Sequence, residues 1–191
     1  WWECFPGWLF SVGPDIMILA ARPISCLCLL LLVLAGAGPC LADDQPIRHS
    51  FFVAGPSFTG IIDEEGKEAW DSGRPAARDG YVLPNGNILI AWTNEVKEFT
   101  TDKKVVFHYP KPVDNQEIGT VQRLENGNTL ITELGAKPRL LEVSVKGDIV
   151  VNCPLLPETD NAHMQTRMAR KLPGGNYLVP HPLAFKVKEY T

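Results

Sequence analysis

Leu83-Pro84-Asn85-Gly86-Asn87, Leu124-Glu125-Asn126-Gly127-Asn128 and Leu172-Pro173-Gly174-Gly175-Asn176 are copies of one five-residue unit, spaced 41 and then 48 residues apart. The central positions of a tight hairpin want positive φ, and Asn-Gly or Gly-Gly supplies it at low steric cost. Each copy therefore predicts a hairpin turn. A short β-rich run follows each one: Ile88 to Trp92, Thr129 to Thr132, and Tyr177 to Val179.

A second unit follows the first every time, as Val96-Lys97-Glu98-Phe99-Thr100, Leu140-Leu141-Glu142-Val143-Ser144 and Val187-Lys188-Glu189-Tyr190-Thr191. It predicts a third strand, then a turn at Thr101 to Lys104 or Val145 to Asp148, then a fourth strand over Val105–Tyr109 or Ile149–Cys153. Two hairpins per period of about 40 to 50 residues is the period of a four-stranded propeller blade. Helical repeats of similar period need 3.6-residue spacing of apolar positions, which these segments lack. The expectation is an all-β chain, an incomplete β-propeller ring of about three and a half antiparallel blades. Its final blade should stop before an outer strand, as the front part of a truncated sequence.

Sixteen glycines and sixteen prolines suit many short strands better than long helices. A formal charge of −4 argues against a nucleic-acid partner. The amino-terminal region reads differently. Met17 opens a stretch with Arg22, an apolar run from Ile24 to Ala35, and small residues ending at Cys40-Leu41-Ala42. That is the pattern of a secretory signal peptide with cleavage after Ala42, and its apolar run of about a dozen residues is short of the roughly twenty a membrane helix needs. The expected organisation is a non-native or mis-started extension over 1–16, a signal peptide over 17–42, and a partial propeller over 43–191 of a secreted or periplasmic protein without stable membrane insertion. Cys153 alone among the five cysteines lies beyond that cut, so the domain is expected to hold together without an internal disulfide.

An earlier partial copy runs from Ile61 to Trp70. Its Asp63, Gly66, Lys67 and Trp70 resemble the tryptophan-docking repeat of quinoprotein-like (PQQ-like repeat) propellers, with Phe107 and Val151 at the position of Trp70 in later blades. The Leu-Pro-Asn-Gly-Asn units are also similar to those of arylsulfotransferase-like propellers. The resemblance implies a propeller fold and, for the enzymes among those families, a quinone or sulfuryl-transfer chemistry. The adjacent cysteine pair that quinone enzymes set against their cofactor is absent from the sequence, and no cofactor or metal is expected.

No phosphate-binding glycine loop, metalloprotease helix or nucleophile elbow is present in the sequence. A ligand site is instead expected at the mouth of the central channel. Strands preceding the Asn-Gly turns should be innermost. Arg78 and Arg167 lie five residues before the repeat leucine, with Gly119 at the third such place, and Arg74, Asn115 and His163 lie nine before it. Two arginines facing one channel suit a carboxylate, sulfate or phosphate through bidentate bonds, unless they pair with acids such as Asp79 and Glu117. In arylsulfotransferase-like propellers a channel histidine is catalytic, which makes His163 the one catalytic candidate. The site residues are thus Arg78, Asn115, His163 and Arg167. The favoured function is a non-enzymatic scaffold for an anionic small molecule or another protein; the alternative is the front part of an arylsulfotransferase-like or PQQ-dependent enzyme.

Overall fold

The computed structural model describes residues 48–191. The extension and signal peptide expected over 1–42 lie outside the described residues. Four antiparallel sheets follow one another along the chain. The first holds β1 (Phe51–Ala54), β2 (Thr59–Ile62) and β3 (Glu68–Asp71), and the second β4 (Asp79–Val82), β5 (Ile88–Ala91), β6 (Glu95–Phe99) and β7 (Val105–Pro110). The third holds β8 (Asn115–Arg123), β9 (Thr129–Gly135), β10 (Arg139–Val143) and β11 (Ile149–Pro154), and the last β12 (Arg170–Lys171), β13 (Tyr177–His181) and β14 (Lys186–Tyr190). Each sheet is a simple meander, and the described residues contain no α-helix. These are the blades of a β-propeller. Ile61 faces Trp70 in the first blade as Glu98 faces Phe107 and Glu142 faces Val151, so β1 to β3 are the second to fourth strands of their blade. In the last blade β12 to β14 are the first to third.

The hairpins use a different turn from the one the sequence suggests. Leu83 N–H donates to Asn87 O at 2.8 Å and Gly86 N–H to Leu83 O at 2.8 Å, and the units at Leu124 and Leu172 repeat both bonds. Only the second glycine-bearing position takes positive φ, at 83° in Gly86, 85° in Gly127 and 96° in Gly175, while Asn85, Asn126 and Gly174 do not. This is a three-residue loop closed by one left-handed residue, and it suits Pro84 and Pro173, whose fixed φ matches the preceding turn position. The connections of the second hairpins, Asp63 to Lys67, Thr100 to Lys104 and Ser144 to Asp148, make the same pair of bonds.

The second strands of the two middle blades, β5 and β9, are buried on both faces, which explains the unbroken apolar run of β5. In β5, Leu89 and Ala91 pack with Ile118, Val121 and Ile131 of the third blade, whereas Ile88 and Ile90 pack with Trp70 and Phe52 of the first. Leu130 and Leu140 meet Tyr177 and Val179 at the next interface. Half-buried Cys153 packs beside them, its thiol pushed up by burial. The core is therefore divided among blade interfaces.

Each of two interfaces also holds a charged bridge. Glu98 accepts from Asn87 Nδ2 of its own blade at 2.6 Å and from Arg123 of the next blade. Glu142 accepts from Asn128 Nδ2 at 3.1 Å, and from Lys171 and the Tyr177 hydroxyl of the next blade. Arg123 and Lys171 hold the same place, directly before the repeat leucine. The first interface is different: Ile61 stands where the acid would be and Val82 where the cation would be, and the indole of Trp70 donates instead to Thr101 O at 3.1 Å.

Two outcomes follow for stability. Replacing Gly127 with valine puts a β-branched side chain at a φ of 85° and should lower stability by about 1 kcal/mol or more, read as a drop in the melting temperature; an unchanged value contradicts the turn geometry. Burial pushes the Glu142 carboxyl up, but hydrogen bonds from Lys171, Tyr177 and Asn128 outweigh it and hold the group below its ordinary value of 4.5. A depressed carboxyl contributes stability above its ordinary value and loses it as pH falls through the folded one. Stability measured by urea unfolding should therefore decline as pH drops below that range, and Glu142→Gln should show a shallower acid decline from a lower starting stability at pH 7.

Candidate functional site

Antiparallel blades send their connections to two opposite ends. All six three-residue hairpins lie at one end, and the links between second and third strands, with the links between blades, lie at the other. The first strands of three blades gather near a common axis. Asp79 Oδ2 of β4 accepts from Val121 N–H of β8 at 3.1 Å, and Arg170 Nη2 of β12 donates to the Tyr81 hydroxyl of β4 at 2.9 Å. A bond from the fourth blade to the second, passing the third, requires both strands to be innermost.

At the end bearing the long links, four side chains form a chain of contacts. Arg78, in the link before β4, forks onto Glu117 of β8, with Nη1 3.1 Å from Oε1 and Nη2 2.5 Å from Oε2, and its Nε donates to Thr93 Oγ1 at 3.3 Å. Glu117 Oε1 lies 3.6 Å from Nδ1 of His163, and His163 Nε2 lies 3.3 Å from Nη1 of Arg167. A guanidinium only donates, so in this contact Nε2 is the acceptor, and Nδ1 is the ring nitrogen on the side of Glu117. Half-buried Arg78 and buried Glu117 neutralise each other; Arg167 and His163 stand exposed, and the Arg167 guanidinium leaves the group with positive charge in excess.

Local structure sets this arrangement. His163 and Arg167 ride on the link between β11 and β12, which is pinned by Gln165: its Nε2 donates to Gly135 O at 3.0 Å and to Thr159 O at 3.1 Å, and its Oε1 accepts from Gly135 N–H. The link lies directly on β8. A Cβ on Gly119 would come within 2.4 Å of Arg167 O and 2.5 Å of Thr132 Oγ1, so the third position of the arginine series holds the one residue that admits this contact.

Of the sequence-derived candidates, Arg78, His163 and Arg167 come together. Arg78 does so as the partner of Glu117, the pairing the sequence offered as the competing use of that arginine. Asn115 stands apart. It is 3% exposed, its Nδ2 donates to Glu133 Oε2 at 2.8 Å and Lys137 O at 2.9 Å, and its Oδ1 accepts from Lys137 N–H at 3.0 Å. Its amide thus secures the foot of a loop. Arg74, at the same repeat position, binds Glu95 and Asn94 and covers the Trp92 ring at 4.9 Å.

Sequence reasoning passed over Tyr81, Gln122 and Arg170. They share the position two before the repeat leucine and are polar in every copy, which is the signal that marks them. Beside Tyr81, burial pushes the Asp79 carboxyl up against the pull of the Val121 and Gly80 amides. Two open clefts of about 400 and 350 Å³ lie at the hairpin end, sharing Gln122, Arg123, Leu124 and Glu125. Their cations, Arg123 and Lys171, are committed to Glu98 and Glu142, so the group around Arg167 is the stronger candidate for an anion. Among the described residues, no group of three or more His, Cys, Asp or Glu side chains is arranged to hold a metal ion, and no helix is long and apolar enough to cross a membrane.

No family model matches the chain, and no curated protein matches it in sequence. Solved structures do. A protein of unknown function from Bacteroides caccae is 24% identical with a TM-score of 0.65, over 75% of this chain and 54% of that one. A streptogramin B lyase is 14% identical with a TM-score of 0.52, over 74% and 50% of the two chains. Virginiamycin B lyase from Staphylococcus aureus is 14% identical with a TM-score of 0.50, over 71% and 49%. At these identities the likeness establishes the propeller fold. The chain spans about half the length of the solved structures it matches.

Proposed function

We propose that this propeller is a secreted or periplasmic, non-enzymatic binding scaffold whose long-link mouth takes a small anionic ligand. The observation that carries the reading is the state of Arg167: exposed, and held only by the imidazole of His163 among the described residues, beside an Arg78–Glu117 pair that is already neutral. An exposed guanidinium with free donors is well suited to a carboxylate or sulfate, and the excess positive charge draws an anion to the mouth. Arg78 then acts indirectly, by neutralising Glu117, which would otherwise repel the ligand. The Met17 to Ala42 segment is the support for secretion.

Function in a propeller lives in its site, and fold likeness to streptogramin lyases carries no activity to this chain. The quinoprotein-like and arylsulfotransferase-like resemblances rest on turn units and Trp70. A sulfuryl-transfer reading has one observation in its favour, a histidine at the mouth with a carboxylate 3.6 Å from Nδ1, the relation of a general base to its orienting acid.

Titrating benzoate, sulfate and phenyl sulfate by calorimetry tests the proposal. Binding of at least one anion should weaken by about tenfold or more in Arg167→Ala, the loss of a charge-assisted pair. Equal affinity in the variant rejects the arginine's role, and ester turnover that disappears in His163→Ala replaces the scaffold reading with the enzyme one.

A further inference from the structure

The last blade presents to one side a face whose counterparts in the two preceding blades are all buried in an interface. Leu178, Val187 and Glu189 occupy the register of Leu89, Val96 and Glu98 in the second blade and of Leu130, Leu140 and Glu142 in the third. The four apolar counterparts are 0 to 1% exposed, whereas Leu178 is 39% and Val187 60% exposed. Glu189 is already held on one side as its counterparts are: Asn176 Nδ2 donates to it at 2.7 Å, as Asn87 and Asn128 donate to Glu98 and Glu142. It has no cationic partner among the described residues.

The identities across each interface are matched. Glu98 meets Arg123 and Glu142 meets Lys171, and where the acid position is Ile61 the cation position is Val82. Glutamate at this place therefore goes with a lysine or arginine directly before the repeat leucine of the blade that packs on it. We propose that the Leu178–Val187–Glu189 face is a docking surface for another unit of this same repeat, one whose first strand carries Lys or Arg immediately before a Leu-x-(Asn/Gly)-Gly turn. Charge complementarity selects the partner, and the apolar pair supplies the contact that Leu89 and Val96 make elsewhere. A second copy of this chain is a poor occupant. Its Arg123 and Lys171 are already bound to Glu98 and Glu142, and its β4 carries Val82 at the cation place.

The test uses the full chain and a labelled hairpin peptide of residues 115–135, closed by a terminal disulfide so that the β8 and β9 sequences stay paired, with binding read by fluorescence anisotropy. The peptide should bind, Glu189→Lys should weaken it by about tenfold, and an Arg123→Glu peptide should bind the Glu189→Lys chain better than the wild-type chain. Glu189 is exposed, so its replacement leaves the fold intact, which circular dichroism checks. Absence of binding, binding indifferent to residue 189, or self-association of the chain that Glu189→Lys abolishes would each overturn the proposal.

Discussion

A buried carboxylate must find a charge partner, because an unpaired one costs several kcal/mol, and two of those at the blade interfaces find it on the neighbouring blade. Glu98 and Glu142 do so through Arg123 and Lys171, while an asparagine from their own blade's first hairpin holds the other side. The bond ties three things into one register: the first turn of a blade, its third strand, and the first strand of the next. Sliding any strand by one residue would turn the glutamate to the wrong face and strand both charges. Apolar packing supplies most of the free energy of such an interface, but leucine, isoleucine and valine tolerate one another's places, and the ion pair does not. The first interface reaches the same end by another route, with the Trp70 indole bonded to Thr101 O and edged against Phe99 at 5.8 Å.

The blade period, the strand order and the innermost position of the strand before each turn were legible in the sequence because they are local. Each is written within a dozen residues of a repeated Leu-x-x-Gly-Asn unit. The glutamate bridges were not, although Glu98, Glu142 and Glu189 recur in plain view, since their partners lie on the next blade and only the three-dimensional register brings them together. The turn type was misjudged for a related reason. Asn-Gly satisfies both a two-residue primed turn and a three-residue loop with one left-handed residue, and it is the Leu-to-Asn closure, visible only as hydrogen bonds, that separates them.

The candidate site shows the same division. Counting back from the repeat leucine brought Arg78, His163 and Arg167 to one mouth, and it put Asn115 in the same class because counting cannot see a bulge. β8 shifts register between Asn115 and Glu117 and again between Ile118 and Val121, so residues before the shifts no longer face as their counterparts do. Asn115 turns inward to Glu133 and Lys137, and Glu117 takes the place at the mouth. The Glu98 and Glu142 bridges and the group around Arg167 lie at opposite ends of the blades, so exchange of exposed mouth residues such as Arg167 leaves those two bridges alone. That separation is what allows one propeller framework to carry unrelated sites.

If the bridge is what fixes one blade on the next, Glu98 and Arg123 must be energetically coupled and not merely adjacent. A double-mutant cycle of Glu98→Gln and Arg123→Met, measured by urea unfolding at neutral pH, gives that coupling directly. The account requires a favourable interaction of about 1–3 kcal/mol between the two positions. Additive effects, with a coupling within about 0.3 kcal/mol of zero, would mean that the Glu98–Arg123 bridge does not fix one blade on the next and would contradict it.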